Sequence, residues 1–272
     1  MNIYISADIE GISGVVNGTH TTQSSFEYNR TRKLMTDEVN AAIRGAKAAG
    51  AKKIIVNDSH ASMTNILIED LDEDVMLITG NHKILSMMEG IEEGFDAVFF
   101  IGYHARQNTP GVLSHSYSGA TISEIVINGN VVGEFELNSL VAGYYDVPVI
   151  LVSGDDVLAN QVKDFNKNIE TVIVKEARSR YTAKCIQPQK VHGMLEKKAY
   201  EALSSKLQTI SPCKIHGEID IEIAFKNSGM AEATLYIPGT ELIAPNRVKY
   251  KAKDILEAYK VRIALTTLAS KA

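Results

Sequence analysis

The amino-acid sequence predicts an α/β protein, with a mainly parallel sheet flanked by helices and a smaller C-terminal α+β domain. Over the first 155 residues, short apolar runs alternate with helical patterns, which is typical of a parallel sheet covered by helices. Beyond about residue 187, a charged helical pattern precedes an alternating strand, which is typical of an antiparallel sheet with one exposed face. We therefore expect one domain over residues 1–190 and a second over 191–272.

The elements of the first domain follow in order. Residues 2–7 predict a strand, and Met35, Val39 and Ala46 then recur at helical spacing before Gly50 ends the pattern. Asn128-Gly129 joins two apolar runs and predicts a hairpin, and a helical pattern follows from about Glu134 to Tyr145. Further buried strands are predicted within residues 51–60, 75–80, 94–104 and 148–156.

The second domain opens with a charged helix over roughly 189–206. A strand is predicted at 219–225, where apolar residues alternate with mostly acidic ones, because alternate side chains of a strand point to opposite faces. The last helix begins at Asp254, with Glu257 at the spacing of a capping box.

The composition excludes several classes of protein. The 272 residues are 45% hydrophobic and 22% charged, which argues against disorder. The net charge is -5 and no long basic run occurs, so we expect no nucleic-acid partner. No apolar stretch has the length of a membrane span, and the N-terminus lacks the pattern of a signal peptide. Two cysteines, without metal-ligand or disulfide spacing, favour a cytoplasmic protein.

Carboxylates and histidines fall where the predicted strands end, and ligands of parallel α/β sheets gather there. Each residue taken alone is typical of a solvated turn, a loop histidine or the first turn of a helix. Their equivalent positions favour a shared site instead. The candidates are Asp8, Glu10, His60, His104, His115 and Glu134, whereas His20, His82, His192 and His216 have no comparable carboxylate neighbour.

Oxygen and nitrogen ligands of this kind suit Zn²⁺, with Mn²⁺ or Co²⁺ as substitutes. A catalytic zinc ion normally takes three protein ligands and a water, so five ligands exceed the need of one open site. With one bridging carboxylate, the same five can hold two metal ions about 3.5–4 Å apart, as in hydrolytic two-metal centres. The sequence therefore predicts a catalytic metal-binding domain over residues 1–190.

Five segments of this domain resemble one known family in order and spacing: SADIEG at 6–11, NDSH at 57–60, GYHA at 102–105, SHS at 114–116 and NGNVVGEFELN at 128–138. The family is the zinc-dependent D-aminopeptidases of the bacterial dipeptide-transport (DppA-like) type. None of the six candidate residues departs from the family's pattern, whereas the C-terminal domain offers no comparable signature.

The resemblance implies a role for each candidate residue. Asp8 would bridge two zinc ions, Glu10 and His60 would complete one site, and His104 and Glu134 would complete the other. His115 matches the position of the catalytic nucleophile or base. The family further implies a cytoplasmic hydrolase that removes an N-terminal D-amino acid, typically D-Ala, from short peptides, and a homodecameric ring around an inner chamber.

Two other functions remain open at this point. One is a metal-dependent amidohydrolase or phosphoesterase of other specificity, although the matched segments supply almost no Arg or Lys to hold a phosphate, and only Arg106 follows one of them directly. The other is a non-enzymatic oligomeric protein with a structural metal, although structural zinc sites are usually closed and rich in cysteine.

Overall fold

A computed structural model describes residues 1–272. Its strands are β1 (Asn2–Ala7), β2 (Lys53–Asp58), β3 (Met76–Ile78), β4 (Ala97–Ile101), β5 (Ile122–Ile127), β6 (Asn130–Val132), β7 (Val149–Asp155), β8 (Glu170–Ser179), β9 (Thr182–Cys185), β10 (Ile219–Phe225), β11 (Thr240–Ala244) and β12 (Arg247–Ala252). Its helices are α1 (Gly18–Thr21), α2 (Tyr28–Ala48), α3 (Glu134–Tyr144), α4 (Asp156–Phe165), α5 (Pro188–Glu201), α6 (Ser228–Ala233) and α7 (Ile255–Ala269). None of the helices has the length and apolar character needed to cross a membrane.

The main sheet has seven strands in the order β3-β2-β1-β4-β7-β8-β9. All neighbouring pairs are parallel except β8–β9, which confirms the predicted class. Helices α2 and α5 cover one face, where Ile3 and Ile5 of β1 pack with Val39 and Leu195. Because strand side chains alternate, Tyr4 of β1 points to the opposite face.

A second, antiparallel sheet has the order β11-β12-β10-β5-β6. Its predicted hairpin forms at Asn128 and Gly129, whose φ angles of 47° and 82° suit a tight two-residue turn. The hairpin is an antiparallel excursion, as expected, but it belongs to this second sheet because β5 pairs with β10. Ile219, Ile221 and Ile223 of β10 are buried at alternate positions, as the sequence pattern predicts.

Segments from both sides of the expected boundary at residue 190 belong to the same antiparallel sheet and the same apolar core. The second sheet takes β5 and β6 from the first 190 residues, and α5 packs on α2 beside the main sheet. The second sheet, α3 and α7 then share one apolar core with the other face of the main sheet, including Phe100, Phe135, Ile221 and Tyr259. The division at 190 stays a prediction about sequence segments, and the core spans it.

Candidate metal centre

The six candidate side chains meet at one edge of the main sheet. Strands β2, β1 and β4 are neighbours, so their carboxyl ends lie side by side. Two of the residues follow β1, one follows β2, one follows β4, one opens α3 and one lies on the loop between β4 and β5. They are Asp8, Glu10, His60, His104, Glu134 and His115.

Asp8 lies between two histidines. Its Oδ1 is 3.4 Å from Nδ1 of His60, and its Oδ2 is 3.5 Å from Nε2 of His104. The two oxygens of one buried carboxylate thus face two different imidazoles. This is the arrangement that a carboxylate shared by two cations requires.

A second carboxylate stands beside each of these histidines. Glu10 Oε2 is 3.0 Å from Nδ1 of His60, and Glu134 Oε1 is 3.3 Å from Nε2 of His104. His115 completes the group, with its Nε2 3.6 Å from the same oxygen of Glu134 and its ring stacked 4.1 Å from that of His104. The ligand atoms of His104, His115 and Glu134 lie within 4.8 Å of one another.

Backbone carbonyls fix which nitrogen of each imidazole faces the centre. A carbonyl oxygen only accepts hydrogen bonds, so the ring nitrogen beside it must carry the hydrogen. In a neutral imidazole the other nitrogen then presents a lone pair to the carboxylates. The pairs are His60 Nε2 with Thr21 O at 3.0 Å, His104 Nδ1 with Ala105 O at 3.0 Å, and His115 Nδ1 with Leu113 O at 2.9 Å.

Lone pairs that face carboxylates repel them unless a cation lies between. Consistent with this, buried Glu10 Oε2 and His104 Nε2 have no hydrogen-bond partner. Unpaired buried polar atoms of this kind are costly, so each calls for a proton or a metal ion. The oxygen and imidazole donors match the preference of zinc, and the backbone hydrogen bonds are the outer contacts that orient metal-binding histidines.

Burial makes charges in this cluster energetically costly and shifts the pKa values of its side chains. Burial and the neighbouring Glu10 carboxylate raise the pKa of Asp8 to about 7. Burial opposes the charged form of His104, yet the Glu134 carboxylate raises the pKa of His104 to about 10. Burial and the neighbouring His104 lower the pKa of His115. The buried carboxylates are thus stable only together with positive charge, and His115 is the imidazole that stays neutral.

Close backbone approach brings the loops after β1 and β4 together. Gly11 donates its N–H to the carbonyl of Gly102 at 2.7 Å. A Cβ on Gly11 would lie 1.9 Å from the carbonyl oxygen of Tyr103, so only glycine fits there. On the other side, the backbone N–H of Tyr117 donates to Glu134 Oε1 at 2.6 Å and orients that carboxylate.

A cavity of about 280 Å³ opens onto the centre. Its wall includes residues that the sequence patterns did not indicate, among them Lys83, Tyr117 and Arg262. Arg262 lies on α7, so the C-terminal segment contributes to the site. Each of these residues sits in a loop or helix without a motif, so no local signal could have identified it.

The remaining histidines and the cysteines lie apart from the ligand cluster. His82 lines the cavity, and His20 accepts a hydrogen bond from the backbone of Val16. Cys185 and Cys213 are free thiols, as their spacing predicts.

The comparisons with known proteins agree with this geometry. The model of the D-aminopeptidase family M55 matches residues 1–263. The chain belongs to the D-aminopeptidase family. A D-aminopeptidase of Bacillus subtilis (strain 168) is 40% identical to it over 270 residues, which are 99% of this chain and 98% of that protein.

A solved structure of the same family matches the fold. It is the Zn-dependent D-aminopeptidase DppA from Bacillus subtilis, described as a self-compartmentalizing protease, and it covers 100% of this chain and 99% of its own at 40% identity and a TM-score of 0.97. The predicted fold class, family and peptidase class are therefore confirmed. The roles of the individual residues stay predictions.

Proposed function

We propose that the chain is a two-zinc aminopeptidase that removes an N-terminal D-amino acid of the D-Ala type from short peptides. The observation that carries the proposal is the orientation of the three histidines. Each uses one ring nitrogen on a backbone carbonyl and presents the other to a carboxylate. The zinc dependence of the related enzyme from Bacillus subtilis supports zinc as the metal.

Five side chains would hold the two ions. Asp8 would be shared by both ions, because its carboxylate lies between His60 and His104. Glu10 and His60 would complete one site, and His104 and Glu134 the other. Zinc bound in such a pair supplies Lewis acidity, which activates water and stabilises the negative charge that develops on a scissile carbonyl oxygen.

His115 would move the proton. Its Nδ1–H is held by the carbonyl of Leu113, so Nε2 is free to accept a proton from the attacking water. Burial lowers the pKa of His115, which favours the neutral imidazole that a general base requires. The imidazolium can then return the proton to the leaving amine. Direct attack by Nε2 is the other role that the position allows.

Metal analysis and a substrate screen test the proposal together. Protein purified without chelator should contain about two zinc ions per chain, because five ligands exceed the need of one ion. It should release D-alanine from D-alanyl peptides faster than L-alanine from the matched L-alanyl peptides. Binding of one zinc at most after reconstitution would contradict the two-metal centre, and a preference for L-peptides would favour another amidohydrolase.

We also propose assembly into a homodecameric ring in the cytoplasm. The related DppA is described as self-compartmentalizing, which requires several subunits. Large apolar side chains stand exposed on the single chain, including Phe26 at 87% and Tyr236 at 84%, and subunit contacts would cover such groups. Free Cys185 and Cys213 suit a reducing compartment.

A further inference from the structure

Arg262 is a buried cation with unused hydrogen-bond donors beside the metal centre. It lies on α7, lines the cavity and is only 4% exposed. Two of its guanidinium nitrogens, Nε and Nη2, have no hydrogen-bond partner. A buried charged group without a partner is costly, and native proteins retain one where a ligand supplies the missing contact.

The other cation of the cavity wall differs in this respect. Lys83 Nζ donates to Asn57 Oδ1 and to the carbonyl oxygens of Asp58 and Ile78, at 2.7, 2.7 and 3.1 Å. These three acceptors use all the hydrogens of the ammonium group. Arg262 is therefore the cation of the wall that has donors left for a ligand.

Two tyrosines hold Arg262 in place. Its Cζ lies 3.6 Å from the ring centroid of Tyr117 and 4.6 Å from that of Tyr259. Both hydroxyl groups donate to Asn138 Oδ1 at 2.9 Å, which fixes the rings. The aromatic rings contact the flat faces of the guanidinium. Its N–H groups lie in the guanidinium plane and stay free to donate hydrogen bonds to a planar anion such as a carboxylate.

The stack also ties Arg262 to the catalytic centre. The backbone N–H of Tyr117, whose ring Arg262 covers, donates to the Glu134 carboxylate. One residue thus contacts both a proposed zinc ligand and the guanidinium. Three of the proposed zinc ligands, Asp8, His60 and Glu134, line the same cavity as Arg262.

We propose that Arg262 binds the C-terminal carboxylate of the substrate, so that the enzyme favours dipeptides with a free carboxyl group. The inference rests on the proposed aminopeptidase function and names its substrate class. Guanidinium and carboxylate groups match in a planar, two-hydrogen-bond geometry, which an uncharged amide cannot use as well. An extended dipeptide spans at most about 7 Å, which suits a cavity whose metal ligands and anion site share one wall.

Kinetics with a matched pair of substrates test this role. D-Alanyl-D-alanine carries a terminal carboxylate, and D-alaninamide presents the same D-alanyl group without one. Arg262→Met should lower kcat/KM for the dipeptide about 10- to 100-fold, mainly through KM, since hydrogen bonds to charged groups are strong. The amide should change less than about threefold. Arg262→Lys, which keeps the charge but loses the planar fork, should recover part of the loss.

Binding supplies a readout without turnover. Calorimetry on the zinc-loaded His115→Ala protein compares the affinities for the same two compounds, with and without Arg262→Met. Arg262 should favour the dipeptide by a similar factor there. Lys260→Met removes an exposed charge from the same helix and should leave both substrates unaffected.

Equal losses on both substrates would overturn the inference and assign Arg262 a purely structural role beneath the tyrosines. No loss on either would overturn it as well. If Arg262→Met does not fold, the Arg262→Lys variant decides between the same outcomes. If the wild-type protein cleaves no D-alanyl compound, the aminopeptidase function fails, and the calorimetric difference between dipeptide and amide still decides the role of Arg262.

Discussion

At the scale of single residues, the centre depends on which atom of each side chain points inward. The Thr21, Ala105 and Leu113 carbonyls select the tautomers, and Asp8 divides its oxygens between His60 and His104. Removal of the Asp8 carboxylate, which faces both histidines, should therefore affect metal binding more than removal of Glu10 or Glu134, each of which faces one of them.

Asp8→Ala should lose both metal ions, whereas Glu10→Ala and Glu134→Ala should each lose about one, because a bridging ligand serves both ions. His60→Ala and His104→Ala should resemble the two glutamate variants. Metal content measured by mass spectrometry, together with the rate of D-alanine release, distinguishes the variants. Exposed Glu176→Ala is the control and should keep both ions. Two ions retained in Asp8→Ala would exclude the bridge.

His115→Ala should separate metal binding from turnover. In the proposed mechanism the imidazole of His115 transfers a proton and is not a metal ligand. Both zinc ions should therefore remain while the rate falls roughly 10²–10⁴-fold, as for general acid–base groups. Metal analysis and kcat on the same preparation check this. If zinc is lost as well, His115 is a ligand, which the 4.8 Å grouping with His104 and Glu134 would also permit.

The meeting of the candidate residues Asp8, Glu10, His60 and His104 was predictable, because strand ends are visible in the sequence and parallel strands bring their carboxyl ends together. Lys83 and Arg262 were not predictable. Arg262 reaches the cavity only because α7 packs against the core shared by both sheets. Such long-range packing leaves no pattern in the residues around position 262.

At the scale of elements, the local turn was predictable from the sequence, but the sheet to which its two strands belong was not. Asn128-Gly129 specifies its own turn, but the pairing of β5 with β10 depends on residues that are far apart in the sequence, such as Ile125 and Ile223. Strands β8 and β9 were not among the predicted elements. Much of this hairpin is exposed, so the continuous apolar signal of a central strand is missing there.

The loop after β1, which carries Glu10, is held by two buried ionisable side chains from other elements. Lys175 of β8 donates to the carbonyl oxygens of Glu10, Ile12 and Val15. Glu38 of α2 accepts the backbone N–H of Ser13 at 2.8 Å. The position of a site residue therefore depends on contacts that span the sheet and a helix.

Glu38→Gln should stabilise the protein at alkaline pH. Burial raises the pKa of Glu38 from its ordinary 4.5 to about 8. The folded state therefore holds the Glu38 proton more tightly than the unfolded state does. The contribution of protonated Glu38 to the free energy of unfolding is full below pH 4.5 and is lost as the pH rises through 8. Glutamine keeps the acceptor for Ser13 and does not ionise. The free energy of unfolding of the variant should therefore exceed that of wild type by an amount that grows between pH 5 and 8 and reaches ~1–4 kcal/mol.

Thermal unfolding of both proteins at matched zinc loading, from pH 5 to 9, measures this difference. The substitution Glu69→Gln on the surface is the matched control and should show no such trend. A stability difference that does not change with pH would mean that Glu38 is ionised in the folded protein.

At the scale of the whole molecule, the two sheets form one unit around the centre. Residues 191–272 supply most of the antiparallel sheet and the helix that carries Arg262, while the candidate ligands come from the first 134 residues. Neither part would form the cavity alone. The exposed apolar side chains of the chain determine whether other subunits surround that cavity.

A stable assembly should form if that surface serves subunit contacts. Ten copies of the 29.7 kDa chain amount to 297 kDa, which is the mass expected from light scattering at micromolar concentration. In the proposed ring, a closed chamber would admit only small substrates, so D-alanyl dipeptides should be cleaved much faster than a folded protein that begins with the same residue. Zinc removal should leave the mass unchanged, since the ligands lie in a cavity within one chain. A fully active species of 29.7 kDa would show that the assembly is not needed for catalysis and would exclude a chamber as the source of substrate selection.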